Sequence, residues 1–380
     1  MTMAASPPPV DAHFVRNLLL KALALFVACN LVFAALDPLP VLGCLSLYNW
    51  LVPGRERLPF GEVPDKAYNI SILNLEAMFA AHVVSAPVRE PEYRLFLIGD
   101  SSVWGFLLKP EETLAGAINA AHLTAPDGRR VRAYNLGHPT ISLTKDLLIL
   151  SYAMRYQPDM IIWLTTLEAF PYEKQLSSPI VQHNPAPVRD LIARYNLHLD
   201  AHDAAFADLS FWQRTIVGRR RDLADLVRLN LYGFMWAATG VDQFYPERYE
   251  PPQADFEADD SFYDLRPPLT SDDLAFEVLS AGVMLAGDVP VLIVNEPIFI
   301  SAGRNSDIRY NFFYPRWAYD QYRALLAEYA ETNNLPYLDL WDAVPPHEFT
   351  NSAIHYTPAA SRLVAEHLMA AIRAGWLSSP

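Results

Sequence analysis

The chain has 380 residues, 52% of them hydrophobic, enough apolar volume for one large core or two modest ones. A formal charge of −14 argues against nucleic acid as a partner, and the one tight basic cluster, Arg219-Arg220-Arg221, sits beside Asp222 and Asp225 and reads as a solvated helix face. The two cysteines, Cys29 and Cys44, both lie near the N-terminus, and the sequence has no Gly-rich phosphate loop, so no disulfide framework, thiolate metal site or cofactor is expected.

Residues 1–13 contain Pro7-Pro8-Pro9 and are expected to form a disordered tail. Residues 14–37 are expected to be a transmembrane anchor. Leu18 to Leu36 is apolar apart from Lys21 and Asn30, and as a helix it would extend about 28 Å, close to the thickness of a bilayer core. Arg16 and Lys21 on one side and Asp37 on the other favour a cytoplasmic N-terminus and a single-pass cell-membrane protein whose main domain is extracytoplasmic, although Arg55 and Arg57 pull the other way. Three alternatives stay open: a cleaved signal peptide, lipidation at Cys29 within Phe26-Val27-Ala28-Cys29, and a buried helix of a soluble domain. Residues 38–90 read as an interfacial segment with Tyr48 and Trp50, followed by a connector with helical spacing from Ser71 to Val84.

Residues 91–375 form the main domain. Strands are predicted at 94–98, 131–135, 159–165, 290–295 and 335–339, and helices at 110–122, 142–155, 271–286, 317–334 and 358–374. Such alternation predicts an α/β fold, a parallel sheet with helices on both faces and ligands at the carboxyl ends of the strands. Ser101, Asn135, Thr165 and Asn295 fall at those ends. An insertion at 177–265 interrupts the pattern; its apolar stretch from Leu229 to Ala238 is too short to span a membrane and reads as core rather than membrane contact.

The chemistry-bearing segment begins at residue 94. Leu95-Phe96-Leu97-Ile98 stops at Gly99-Asp100-Ser101, which places a hydroxyl at the end of a buried strand, where a helix N-terminus can stabilise an oxyanion; a turn with an Asp or Ser cap would use the same residues. Near the other end, Ile354-His355-Tyr356-Thr357-Pro358 puts a histidine in a loop just before a helix. With the Asn135-Leu136-Gly137 block between them, this order resembles the SGNH, or GDSL, hydrolases over about residues 91–375.

That resemblance implies a three-layer sandwich around a flavodoxin-like parallel sheet of about five strands, with Ser101 as nucleophile and His355 as its base. The family's orienting Asp falls at Ser352 here, so Asn351 becomes the candidate partner of the imidazole, with Asp339 and Asp342 as possible substitutes. Of the family's oxyanion donors Gly137 is present, Thr140 stands where a second Gly is common, and Leu167 replaces an Asn. Thr165, Thr166 and Asn295 are candidate replacements. The expected function is a membrane-anchored serine ester hydrolase acting on an acyl ester or acylated glycan. Two alternatives remain: an O-acyltransferase or acyl-transfer partner of a membrane-bound acyltransferase, and a non-catalytic binding or assembly domain.

Overall fold

A computed structural model describes residues 11–51, 54–61, 71–88, 90–239 and 243–378. The expected tail up to residue 10 and three pieces of the 38–90 segment (52–53, 62–70 and 89) lie outside the described residues.

The N-terminal region is helical: α1 (Ala12–Leu36), α2 (Leu39–Gly43), α3 (Leu47–Leu51) and α4 (Leu75–Ala81). In α1, Asp11 caps the N-terminus and Asp37 closes the last turn in a left-handed conformation. The helix has a mean hydropathy of 2.3 over its apolar window, yet only 11% of that window is buried. That exposure contradicts the reading of α1 as a buried core helix. It is long and apolar enough to cross a membrane, and a signal sequence has the same composition.

From residue 92 the chain alternates. It runs β1 (Glu92–Ile98), α5 (Ser101–Trp104), α6 (Leu114–Ala120), β2 (Arg130–Asn135), α7 (Leu143–Ala153) and β3 (Met160–Thr165). The insertion adds α8 (Tyr172–Gln175), α9 (Pro179–Gln182), α10 (Pro185–Tyr195) and α11 (Arg220–Thr239). The remainder is α12 (Phe276–Ala286), β4 (Val291–Asn295), α13 (Arg316–Thr332), β5 (Tyr337–Asp339) and α14 (Pro358–Ser378). The five strands pair in the order β2-β1-β3-β4-β5, every pair parallel. Each predicted strand is present, shifted by no more than two residues at its ends.

Because both faces of the sheet are covered, its central strands are apolar at successive positions rather than at alternate ones. Phe96, Ile98, Ile161, Trp163 and Ile293 point to the face covered by α7, α12 and α13. Leu95, Leu97, Ile162, Leu164 and Val294 point to the face covered by α6 and α14. Strand order reverses between β1 and β3, and a crevice opens at such a point beyond the carboxyl ends of the strands. Ser101 follows β1 directly and lies at that crevice.

Candidate active site

The turn after β1 is sterically demanding. A Cβ on Gly99 would lie 2.6 Å from Val103 Cγ2 and 3.0 Å from the Leu164 carbonyl oxygen, so only glycine lets the strand pass into the helix there. The Asp100 carboxylate then accepts the Ser102 backbone N–H at 2.8 Å and caps α5, so that Ser101 becomes its first residue.

His355 comes from the other end of the chain. Phe349 and Tyr356 form an antiparallel bridge, and the Thr350 N–H donates to the His355 carbonyl at 2.8 Å, closing a tight loop that sets Asn351 beside His355. His355 Nε2 lies 2.8 Å from Ser101 Oγ, and His355 Nδ1 lies 3.0 Å from Asn351 Oδ1. The amide oxygen can only accept, so Nδ1 donates to it and Nε2 is left to accept the serine hydroxyl proton. Phe106 stacks on the imidazole at 4.6 Å and 19°. The residue is half-buried. Desolvation lowers its pKa to about 3, so it is neutral over the physiological range.

Beneath the turn lies a buried polar network that periodicity and motif reading missed. Lys145, fully buried, donates from Nζ to the Gly99 carbonyl at 2.7 Å, to the His138 carbonyl at 2.9 Å and to Asp146 at 2.5 Å. It therefore ties the loops after β1 and β2 together. Burial raises the Asp146 carboxyl to about 6, against the pull of Lys145, and the Trp163 indole donates to its other oxygen at 3.2 Å. Glu296, just past β4, accepts the Ser102 hydroxyl and shares a hydrogen bond with Asp100. Burial and the neighbouring Asp100 push Glu296 well above the ordinary carboxyl value, and burial raises Asp100 too, so the pair holds a proton more tightly than an isolated carboxyl. Two signals pointed here: an adjacent Lys-Asp pair opening an apolar helix, and a glutamate at the carboxyl end of a buried strand.

The other candidate residues divide sharply. Gly137 packs against α5, where a Cβ would lie 2.4 Å from the Trp104 nitrogen. Its N–H donates to Asn135 Oδ1 at 3.1 Å, while Asn135 Nδ2 donates to the Trp104 carbonyl at 3.2 Å. In this arrangement the Gly137 N–H is engaged by Asn135, and the absence of a side chain lets the loop pack closely on α5. Thr140 has φ 85°, a left-handed conformation strained for a β-branched residue, and its hydroxyl pairs with Ser178 at 2.9 Å.

Thr165, Thr166 and Asn295 do not supply the missing donor in this arrangement. The Thr165 hydroxyl is sealed from solvent without a partner among the described residues. Thr166 Oγ1 pairs with the Tyr314 hydroxyl at 2.9 Å. Asn295 is fully buried, donating to Asp339 at 2.9 Å and accepting from the Tyr319 and Tyr322 hydroxyls at 3.3 Å each. Asp339 is also paired with Arg323 at 2.7 Å, so it is not a substitute acid for His355. Asp342 is exposed, and the position facing Nδ1 is already filled by Asn351. Leu167 is fully buried in the larger core cluster. No cluster of three metal-ligating side chains occurs among the described residues.

No protein-family model and no curated protein matches this sequence. Solved structures resemble it at a distance. An aryl esterase from M. smegmatis is 12% identical, with a TM-score of 0.34 over 74% of this chain and 98% of its own. A carbohydrate acetylesterase from Sinorhizobium meliloti is 13% identical, with a TM-score of 0.32 over 73% and 99%. A member of the lipolytic protein G-D-S-L family from Veillonella parvula DSM 2008 is 11% identical, with a TM-score of 0.35 over 73% and 96%. Similarity at this level assigns neither an activity nor a substrate.

Proposed function

We propose that this chain is a membrane-anchored serine ester hydrolase of the SGNH type. The observation that carries the reading is the continuous relay from Ser101 Oγ through His355 to Asn351, built from residues 254 positions apart at the crevice of a parallel sheet. In the proposed reaction, Ser101 Oγ attacks the ester carbonyl carbon while its proton passes to His355 Nε2. The tetrahedral intermediate collapses, the C–O bond to the alcohol breaks, and Nε2 returns the proton to the leaving oxygen. Water then repeats the sequence on the acyl-serine and releases the acid.

The backbone N–H groups of Ser101 and Thr140 are the proposed oxyanion donors. A β-branched residue held at positive φ costs of order 1–3 kcal/mol, and such strain clusters at functional sites. In this reading α1 anchors the protein in the cell membrane, the catalytic domain lies outside the cytoplasm, and the substrate is an acyl ester, acylated envelope glycans included.

The test is hydrolysis of p-nitrophenyl acetate by the full chain in detergent, compared with Ser101→Ala and His355→Ala. Turnover that disappears in both variants while their melting temperatures match wild type supports the reading. Equal turnover in all three proteins refutes it.

A further inference from the structure

The insertion does more than pack on the core. Helix α11 buries Leu226 and Leu229, and its Asn230 side chain accepts the Leu47 N–H at 2.7 Å and donates to the Leu45 carbonyl at 3.3 Å. One face of α11 is thus fixed to the short helices that follow α1. The opposite face leaves Val227, Leu231, Phe234 and Met235 exposed, a spacing of four, three and one that forms a single helical stripe. The sequence-based reading of this stretch as core therefore holds for only one side of the helix.

The segment just before α11 touches α1 itself. Asn30 is a polar residue in the apolar helix; its amide donates to the Phe26 carbonyl at 2.9 Å and accepts the Val217 N–H at 3.2 Å. That hydrogen bond fixes the height of the insertion along α1. Asn30 lies six residues before Leu36, which is about 9 Å along the helix axis. Phe211, Trp212 and Val217 flank this contact and are exposed, Trp212 to 71%.

Outside α1, almost all large apolar side chains exposed among the described residues fall in 41–51 and 209–235; the exceptions are Val88, Tyr263, Met284 and Phe312. The stretch 211–235 also holds five arginines against two aspartates, in a chain whose net charge is −14. Local positive charge beside an apolar, tryptophan-bearing face matches an anionic lipid surface.

We propose that residues 209–235 and 41–51 form one platform that seats in the outer surface of the bilayer, with Phe211 and Trp212 below the headgroups. This rests on the reading of α1 as a membrane span, since the hydrogen bond at Asn30 sets the depth of the platform only if α1 lies in the bilayer. A platform of this kind holds the domain at a fixed height and orientation instead of leaving it to swing on a tether.

Site-specific fluorescence tests it in the full chain. In a Cys29→Ser, Cys44→Ser background, single cysteines are introduced by Trp212→Cys, Leu25→Cys and Thr124→Cys and labelled with a nitrobenzoxadiazole dye. The proteins are reconstituted into vesicles of phosphatidylcholine with a minor fraction of phosphatidylglycerol. The label at position 212 is expected to lose most of its emission to lipids spin-labelled near the headgroup and little to aqueous iodide, and the label at position 124 the reverse. If the label at 212 behaves like that at 124 while that at 25 is quenched by lipid, the platform is refuted and the anchor stands. If the label at 25 also escapes lipid quenching, the anchor fails and the platform with it. Position 212 is 71% exposed and its ring touches Phe211, itself exposed, so the substitution leaves the buried core unchanged.

Discussion

Replacing Asn351 with Asp puts a negative charge where the amide oxygen now sits, 3.0 Å from His355 Nδ1. In the wild type the imidazole is held neutral, with its pKa lowered to about 3 by desolvation, so Nε2 is a weak proton acceptor at neutral pH. An opposite charge within about 4–6 Å raises such a pKa by about 1–3 units, or about 1.4–4 kcal/mol of imidazolium stabilisation. Asn351 is exposed, so solvent screening brings the gain down to about 1–2 kcal/mol, roughly five- to thirtyfold in kcat/KM. The sign is fixed by the neutral ring being the active form. Activity falls as pH drops through the His355 pKa, so wild-type kcat/KM should stay flat below pH 6.5 until the protein unfolds. In Asn351→Asp the carboxylate favours the imidazolium, and the acid limb should move upward while the plateau rises. The assay is kcat/KM for p-nitrophenyl acetate from pH 4 to 9. An unchanged acid limb together with an unchanged plateau would refute the argument that an uncharged partner limits the base.

Leu167→Asn, which restores the family's side chain, should lower stability by about 1–3 kcal/mol or more without raising turnover, because it buries an amide in the apolar core; a calorimetric melt and the ester assay together check this. Gly137→Ala should lower the melting temperature and slow hydrolysis, since its methyl would sit 2.4 Å from the Trp104 nitrogen and push on the nucleophile helix, an overpacking that costs about 1–3 kcal/mol. Glu296→Gln keeps a neutral group between Ser102 and Asp100. The wild-type carboxyl is raised in the folded state, so above its ordinary value of 4.5 the unfolded chain gives up a proton that the folded protein retains, and wild-type stability falls with pH by up to about 1.4 kcal/mol per unit. The glutamine variant lacks that slope, so its stability relative to wild type should rise from pH 5 to pH 8 in urea titrations, and a constant difference would contradict the protonated state.

The five strands were legible because a strand buried on both faces has a local signature, a short apolar run bounded by turns, which needs no knowledge of its neighbours. The contacts among Ser101, His355 and Asn351 were legible for a different reason: Gly99-Asp100-Ser101 and the loop at His355 are short motifs that a family resemblance brings together. Asn295 and Asp339 could not be placed from sequence because a polar residue at a strand's carboxyl end has the same signature whether it faces the crevice or, as here, an ion pair with Arg323 and two tyrosine hydroxyls. The network of Lys145, Asp146, Asp100 and Glu296 joins three segments that only the fold brings together. Helix α11 shows the same limit. Its apolar residues are obvious in the sequence, but which of them meet α2 and α3 and which stay exposed depends on a contact with residues some 180 positions earlier.

The most direct measurement is covalent labelling of the full chain with a fluorophosphonate probe, followed by peptide mapping. It reads the activated hydroxyl before any substrate is known. The account predicts a single adduct on the peptide containing Ser101, lost in Ser101→Ala and strongly slowed in His355→Ala. No adduct in a correctly folded protein, or an adduct on another residue that persists in Ser101→Ala, would contradict it.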